Sequence, residues 1–381
     1  MMKRSLGCWF KSGQGKNKAF LQKKNHCYIW LIIAIAFTVG LSPVKVKAEV
    51  QVSAEHAILM DQSSGRVLYE KAADQPTLIA SITKVMTAII AIEYGHLEDK
   101  VPISEHATNA EGSSIYLKKE DKVTLEDLLY GLMLRSGNDA AVAISEYVAG
   151  SEQGFAYLMN EKARWLGMTN THFDNPHGLD SETHYASAYD MAILTQYAME
   201  NEIYQTISAT SSYQAKARDY AWINKNKLLT QLYPHSSGGK TGYTKAAGRT
   251  LISTAKKDDQ TLIAVTLNGP NDWQDHMQLF DWGFENYPLQ LLQKEERFAI
   301  KQSDTELSAA ITDNLYYPLK ASELEDIHYT NYLSSKPLSF DKIGTRVFYL
   351  KEQPIAETAL YQASTKEKTS FWQGLFGVRH D

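Results

Sequence analysis

Residues 78–92 read LIASITKVMTAIIAI, and no other part of the chain constrains the architecture as much. Drawn as a helix, this stretch is apolar on nearly every side, and from Ile82 to Ile92 only Thr83, Lys84 and Thr87 interrupt it. A helix this apolar belongs in the centre of a domain rather than on its surface. The stretch therefore predicts a buried central helix around which a globular domain is built.

Lys84 is a charged residue in a helix that is predicted to be buried, and burial alone does not explain its presence. It follows Ser81 by three residues, so the two side chains lie on one helical face about 5–6 Å apart. A serine at this place is also typical of a helix N-cap. A buried ammonium, however, costs several kcal/mol unless it has partners or loses its proton. A lysine with a lowered pKa can accept the hydroxyl proton of a serine, so Ser81 is the candidate nucleophile and Lys84 its base.

A second string, Ser136-Gly137-Asn138, separates two segments with helical spacing. Such a string is also typical of an ordinary turn between helices, with Gly and a capping Asn. In a catalytic reading, the Ser136 hydroxyl relays a proton toward a leaving amine. The Asn138 amide can orient Lys84 and bind a substrate carbonyl.

A third string, Lys240-Thr241-Gly242, precedes a segment that alternates like a strand. It is not a phosphate-binding loop, because Pro234 stands where that motif requires its first glycine. The glycines around it indicate a strand at the edge of a cleft, where a peptide can add as a further strand.

Several residues of this strand, together with Ser81, have expected roles in substrate binding. Lys240 and Thr241 would hold a terminal carboxylate, and Lys240 would also favour the neutral form of Lys84. The backbone N–H groups of Ser81 and Tyr243 are the expected oxyanion donors.

The rest of the chain predicts two globular domains. A β-hairpin is expected from the runs His56–Asp61 and Arg66–Glu70, which a Gln-Ser-Ser-Gly turn joins. Further elements are predicted as helices over 125–134, 140–148 and 154–166, and as strands over 250–255 and 261–267. We expect an α/β catalytic domain over 49–288 and a small β-rich domain over 289–365, where short alternating runs dominate.

The two ends of the chain look like targeting segments. Residues 1–48 carry nine Lys or Arg and no Asp or Glu, and they contain an uncharged apolar run over 28–41. This pattern predicts a signal peptide cleaved before Glu49, or an uncleaved signal anchor. Residues 366–381 place several aromatic and aliphatic side chains on one helical face, which predicts a short amphipathic tail that associates with a membrane surface. A tail packed on the second domain or left disordered is the alternative.

Charge and cysteine content exclude several classes of protein. Beyond residue 48 the chain has 30 basic and 44 acidic residues, so nucleic acid is not an expected partner. Both cysteines, Cys8 and Cys27, lie within residues 1–48. The mature part therefore has no structural disulfide, thiol nucleophile or Cys-ligated zinc.

The three strings, in this order, resemble those of penicillin-binding proteins. The likeness is closest to low-molecular-mass serine-type D-Ala-D-Ala carboxypeptidases, peptidase family S11, and within them to the sporulation-associated type of Bacillus-like bacteria. It extends over most of the mature chain, and the further segments that carry it are Gly65–Tyr69, Asn175–Asp180, Asn224–Leu229 and Pro270–Trp273. The family implies an α/β (α+β) domain of the penicillin-recognising, β-lactamase-like type, followed by a small all-β domain and a C-terminal membrane anchor.

The resemblance also implies a reaction and a substrate. Ser81 attacks the carbonyl between the last two D-alanines of a peptidoglycan stem pentapeptide, and Lys84 takes its proton. D-Ala leaves with a proton delivered through Ser136, and water hydrolyses the acyl-enzyme. A β-lactam mimics the D-Ala-D-Ala terminus and inhibits the enzyme at the acyl stage. No cofactor is expected, and the substrate-binding residues are Asn138, Lys240, Thr241, Gly242 and Tyr243.

Other functions stay open at this point. His172, His177 and His184 lie near Asp174 and Asp180, so a zinc peptidase is conceivable, although their spacings match no common zinc motif. A β-lactamase would need a second carboxylate base, and no Glu-x-x-Leu-Asn string follows Asn138. A non-catalytic sensor or scaffold that is acylated without turnover is a further alternative, although Lys84, Ser136 and Lys240 are all present. An endopeptidase or transpeptidase acting on cross-linked stems needs the same residues and a different acceptor.

Overall fold

The computed structural model describes residues 50–216, 218–302, 305–334 and 341–363. The predicted leader over 1–48 and tail over 366–381 lie outside these ranges. Within them, no helix has both the length and the apolar composition needed to span a lipid bilayer.

The first sheet is antiparallel and has the strand order β2-β1-β7-β6-β5. Its members are β1 (His56–Asp61), β2 (Val67–Lys71), β5 (Ser236–Thr244), β6 (Gly248–Lys257) and β7 (Gln260–Leu267). Strand β5 is at one edge, paired on one side only. The predicted hairpin is confirmed, because β1 pairs antiparallel with β2. The strands expected over 250–255 and 261–267 are confirmed as β6 and β7.

The predicted central helix is confirmed, with one difference at its start. A 3₁₀ turn over Ala80–Thr83 leads into α1 (Lys84–Tyr94), whose first nine residues are all buried. Ser81 lies inside the 3₁₀ turn, and no side chain caps either segment. Ser81 is therefore not an N-cap, and its hydroxyl is left for other partners. Ala80, just before Ser81, has a left-handed φ of 49°.

The helices α2 (Glu105–Thr108), α3 (Leu125–Tyr130), α4 (Asn138–Ala149) and α5 (Glu152–Trp165) follow α1 in the chain. The single helix expected over 125–134 is divided, because α3 passes into a π-turn over Gly131–Arg135. This turn ends at Ser136, whose φ of 63° is left-handed and stops the helix. The helices expected over 140–148 and 154–166 are confirmed as α4 and α5.

Further helices are α6 (Ala188–Ala198), α7 (Glu202–Ser208) and α8 (Asp272–Asn286). They were not predicted, and β3 (Ser212–Tyr213) pairs with β4 (Trp222–Ile223) in a short ribbon between α7 and β5. The helical layer and one face of the sheet share a large apolar cluster with α1 at its centre. A smaller cluster lies between the sheet and α8.

A second antiparallel sheet follows, with the order β12-β13-β14-β10-β9. Its strands are β9 (Glu296–Gln302), β10 (Thr305–Ile311), β12 (Ile327–Leu333), β13 (Lys342–Leu350) and β14 (Gln353–Gln362). A separate ribbon pairs β8 (Leu289–Gln293) with β11 (Leu315–Pro318). All these strands lie beyond Pro288, and the domain boundaries over 49–288 and 289–365 stay a prediction.

Candidate active site

Ser81 and Lys84 are in direct contact at the start of the central helix. The Lys84 ammonium donates a hydrogen bond of 3.0 Å to Ser81 Oγ. Lys84 is fully buried, while Ser81 is partly exposed and lines a cleft of about 420 Å³. A nucleophile open to substrate and an amine shielded behind it is the arrangement that proton abstraction requires.

Three oxygens surround the Lys84 nitrogen. Besides Ser81 Oγ, it donates to Asn138 Oδ1 at 2.7 Å and to the backbone oxygen of His177 at 2.5 Å. Burial lowers the pKa of Lys84 well below its usual value, and the nearby Lys240 ammonium lowers it further. The amine is therefore driven toward the neutral form in which it can act as a base.

Ser136 and Asn138 reach the site from the turn between the π-turn and α4. The left-handed backbone of Ser136 presents its hydroxyl to Lys240, which donates to Ser136 Oγ at 3.0 Å. Asn138 turns its oxygen to Lys84 and donates from Nδ2 to the backbone oxygen of Glu111 at 2.5 Å. The orientation of the Asn138 amide is thus fixed from both ends.

Strand β5 forms the opposite wall of the cleft. Burial lowers the pKa of Lys240 to about 7, with a smaller contribution from Lys225. A Cβ added to Gly242 would lie 3.0 Å from the backbone nitrogen of Ser81, so glycine is what allows the strand to approach the nucleophile. Tyr243 is 65% exposed and stands at the cleft mouth.

All eight residues predicted for the site come together around this cleft. Ser81, Ser136, Thr241, Gly242 and Tyr243 line it directly. The three others reach it through hydrogen bonds to those residues or to each other, and they are Lys84, Asn138 and Lys240.

Sequence reasoning missed several cleft residues. Lys225 and Lys227 line the cleft because the chain alternates there, so that Asn224 and Asn226 are buried and the lysine that follows each of them faces the cleft. Lys225 donates to Ser113 Oγ at 3.2 Å. The Asn-Lys-Asn-Lys string is the sequence signal of this alternation.

Arg249 and Trp273 also line the cleft, and no spacing in the sequence indicates that they meet. Arg249 makes an ion pair of 2.9 Å with the buried Asp272, and its guanidinium lies 5.5 Å from the centre of the Trp273 ring. With Lys225 and Lys227, this wall is mainly cationic although the chain as a whole is acidic. Such a cleft favours an anionic ligand.

The three histidines that a zinc site would require have separate partners. His172 pairs with Asp174 at 3.2 Å, and His177 pairs with Glu152 at 3.2 Å. His184 is buried, and its Nε2 lies 2.8 Å from Thr83 Oγ1. Over the described part of the chain, no three His, Cys, Asp or Glu side chains are arranged to hold a metal ion.

Comparison with known proteins agrees with this geometry. The sequence model of the peptidase S11 family, described as D-alanyl-D-alanine carboxypeptidase, matches residues 43–271. The chain is 36% identical over 270 residues to D-alanyl-D-alanine carboxypeptidase DacF of Bacillus subtilis (strain 168), covering 68% of this chain and 69% of that protein. It is 31% identical over 334 residues to DacA of Escherichia coli (strain K12), covering 81% and 83%.

Solved structures lead to the same family. Penicillin binding protein 5 from Haemophilus influenzae superposes with a TM-score of 0.70 at 27% identity, covering 83% of this chain and 98% of that one. A mutant of the Streptomyces K15 DD-transpeptidase superposes with a TM-score of 0.59 at 31% identity, covering 62% and 100%. These agreements confirm the expected α/β domain followed by a β-sheet domain. The chain belongs to the peptidase S11 family of D-alanyl-D-alanine carboxypeptidases.

Proposed function

We propose that this chain is a serine-type carboxypeptidase that removes the terminal D-alanine from peptidoglycan stem pentapeptides, with Ser81 as the nucleophile. The observation that carries the proposal is the contact between Lys84 Nζ and Ser81 Oγ, in a setting that lowers the pKa of the amine well below its usual value. The family acts on peptidoglycan peptides and binds β-lactams, and its curated members carry the name of this activity.

Acylation begins with proton transfer from Ser81 to Lys84. A neutral amine has two N–H donors and one lone pair. When the two donors are committed to Asn138 Oδ1 and the His177 carbonyl, the lone pair faces Ser81 Oγ. As the Ser81 oxygen bonds to the substrate carbonyl carbon, its proton moves to Lys84, and the carbonyl oxygen becomes an oxyanion.

Collapse of this intermediate breaks the C–N bond to the last residue. The proton that Lys84 took from Ser81 passes through the Ser136 hydroxyl, which Lys240 contacts on the other side, to the leaving nitrogen, so Lys84 is neutral again. D-Alanine departs and leaves an ester on Ser81. Water then attacks the ester and gives its proton to Lys84, which passes it to Ser81 Oγ as the ester bond breaks, so both residues return to their starting forms.

Substrate binding uses the free edge of β5. A peptide lying along this edge gains main-chain hydrogen bonds, as in other strand additions. Lys240 and Thr241 hold the terminal carboxylate, and the cationic wall of the cleft attracts it. The backbone N–H groups of Ser81 and Tyr243 stabilise the oxyanion, and Gly242 brings the strand close to Ser81.

A second function differs only in the acceptor. Structural similarity to a DD-transpeptidase favours transfer of the acyl group from Ser81 to an amine, or cleavage of cross-linked stems as an endopeptidase. Both reactions use the same four side chains, which are those of Ser81, Lys84, Ser136 and Lys240. The acyl acceptor is water or an amine, depending on which of them enters the cleft.

Covalent labelling tests the acyl-enzyme directly. Fluorescent penicillin should label the wild-type chain, and Ser81→Ala should abolish labelling; retained labelling would refute Ser81 as the nucleophile. Mass spectrometry of muropeptides then identifies the reaction. Loss of one alanine from pentapeptide supports a carboxypeptidase, split cross-links indicate an endopeptidase, and unchanged muropeptides from a labelled protein indicate a sensor.

The location of the chain is part of the proposal. The family acts on peptidoglycan outside the cytoplasm. We place the mature chain, from Glu49, on the outer face of the cytoplasmic membrane, on the basis of the basic and apolar pattern over 1–48. The amphipathic pattern over 366–381 would add a weak attachment to the membrane surface.

A further inference from the structure

The backbone oxygen of His177 is one of two acceptors that orient the Lys84 amine, so the position of this one peptide group matters for catalysis. Its distance to Lys84 Nζ, 2.5 Å, is shorter than the distances of Asn138 Oδ1 and Ser81 Oγ from the same nitrogen. A carbonyl cannot be removed by changing the side chain it belongs to. The position of the His177 carbonyl must therefore be fixed by contacts of the His177 ring and of its loop.

The local loop contacts hold His177 only in part. Asn175 Oδ1 accepts from the backbone N–H groups of His177 at 3.3 Å and Gly178 at 2.7 Å, which closes a turn. The N–H of Leu179 lies 3.2 Å from His177 Nδ1. Because Nδ1 accepts this hydrogen bond, the neutral ring carries its proton on Nε2 and has one donor left.

That donor points at Glu152. His177 Nε2 lies 3.2 Å from Glu152 Oε2, and the carboxylate is largely buried. Its other oxygen, Oε1, lies 2.7 Å from Nε2 of the exposed His106. Glu152 is the first residue of the 14-residue helix α5, directly after its N-cap Ser151, where the helix dipole favours a negative charge.

We propose that Glu152 is a positioning residue for the general base, which acts through the His177 ring to hold the carbonyl that aims the Lys84 amine at Ser81. The chain of contacts runs from α5 through His177 to the central helix and spans three separate segments. The hydrogen bond from His177 also lowers the pKa of Glu152, so the acceptor stays ionised. Neither Glu152 nor His177 is among the described residues that line the cleft.

The inference rests on the proposed function, and its test begins by checking that function separately. Wild-type chain that takes no penicillin label, or Ser81→Ala that takes it, would refute the proposed function whatever Glu152 does. With labelling established, the maximal acylation rate and the half-saturating penicillin concentration are measured for Glu152→Ala and Glu152→Gln. His172→Ala is the matched control, since it breaks another His–carboxylate pair on the same loop without touching Lys84.

Glu152→Ala should slow maximal acylation by about 10- to 100-fold, the range found when supporting contacts of a reactive group are lost. The half-saturating concentration should change little, because Glu152 does not contact the ligand. Glu152→Gln should stay within about threefold of wild type, since its amide oxygen still accepts from His177. His172→Ala should behave as wild type.

A double-mutant cycle separates positioning from general loss of structure. His177→Ala keeps the backbone carbonyl but loses the ring, so it should slow acylation as Glu152→Ala does. The double variant should be no slower than either single variant, whereas additive losses would overturn the proposal. Partial unfolding reduces the fraction of the protein that becomes labelled, but it does not change the acylation rate of the folded fraction. The rate can therefore be measured even for a poorly folded variant. An acylation rate of Glu152→Ala within threefold of wild type would also overturn it.

Discussion

Lys240 Nζ donates a hydrogen bond of 3.0 Å to Ser136 Oγ, which joins edge strand β5 to the turn before α4. Lys240 and Ser136 are both buried, and Lys240 Nζ also donates to the backbone oxygen of Thr241 at 2.7 Å. Burial lowers the pKa of Lys240 to about 7. The same cation lowers the pKa of Lys84, and in the proposed function it also binds the substrate carboxylate.

We predict that Lys240→Met changes the acid limb of the pH profile of penicillin acylation and the alkaline limb of the pH profile of kcat/KM. Without the Lys240 charge, the pKa of Lys84 rises, so the acid limb of penicillin acylation should move to higher pH. In wild type, kcat/KM for a D-Ala-D-Ala peptide should fall above about pH 7, as free Lys240 loses its charge. The variant should lose this alkaline limb and about a hundredfold in kcat/KM, because a buried charged contact is lost.

The control is Lys245→Met, which removes an exposed cation just beyond β5. Its acid limb and its kcat/KM should match those of wild type. The test measures penicillin acylation and kcat/KM from pH 5 to 10 for wild type, Lys240→Met and Lys245→Met. An unshifted acid limb in Lys240→Met would show that this cation does not act on Lys84.

The catalytic pair could be predicted from sequence because the helical period places Ser81 and Lys84 together without any tertiary information. Ser136 and Lys240 are far apart in the chain, and only the resemblance to a known family linked them to Ser81. The 3₁₀ start of α1 and the π-turn before Ser136 were not predicted. Both depend on packing against neighbouring segments, which local propensity does not contain.

The support around the pair could not be read from the sequence at all. The acceptor that His177 offers to Lys84 is a backbone oxygen, which every residue has. The pairing of Glu152 with His177 joins a helix start to a loop, and the pairing of Arg249 with Asp272 joins a strand to a helix. Such contacts follow from the topology of the folded chain and have no signature in residue spacing.

Gly178 offers a sharp test of how closely the loop packs on the nucleophile turn. A Cβ at this position would lie 2.0 Å from the backbone oxygen of Ala80, and its φ is 84°. Gly178→Ala should therefore displace the peptide before Ser81 and lower the rate of penicillin acylation by at least about 100-fold. Stopped-flow labelling measures this rate.

Gly167→Ala is the matched control for Gly178→Ala. Gly167 has a similar φ of 76°, but a Cβ there would meet no atom within 4 Å. We expect it to lose about 1 kcal/mol of stability from backbone strain and to acylate at the wild-type rate. If both variants acylate equally fast, the contact between Gly178 and Ala80 has no catalytic importance.

Two buried histidines make stability depend on acid pH. Burial lowers the pKa of His276 to about 3 and that of His184 to about 4, against 6.5 for an unperturbed ring. At a pH between the folded-state pKa of each ring and 6.5, the unfolded chain binds a proton at that ring and the folded chain does not. Stability is therefore full above about pH 6.5, falls as pH drops through that value, and the loss from His276 levels off near pH 3.

The contribution of His276 can be isolated by substitution. His276 lies between Ser253 and Thr266 and is completely buried. In His276→Gln, the slope of unfolding free energy against pH between 6 and 4 should be shallower by about 1.4 kcal/mol per pH unit. Urea unfolding at several pH values measures it, with the exposed His96→Gln as the control. Equal slopes in wild type and His276→Gln would contradict the prediction.

Arg66 links the first sheet to the region beyond residue 288. Its guanidinium donates to the backbone oxygen of Pro318 at 2.6 Å and to Glu323 at 2.7 Å, and it lies 5.0 Å from the centre of the Tyr287 ring. Arg66→Ala should reduce the free energy of unfolding by about 2 kcal/mol, since charged hydrogen bonds and a cation–π contact are lost together.

The same change should leave catalysis intact, because Arg66 is not among the described residues that line the cleft. Penicillin acylation of Arg66→Ala should therefore proceed at the wild-type rate, while limited proteolysis should cut the segment over 289–363 faster. Arg297→Ala removes an exposed arginine of β9 and should alter neither property. A variant of Arg66 that acylates slowly would mean that the second sheet influences the active site, and unchanged proteolysis would mean that other contacts hold it in place.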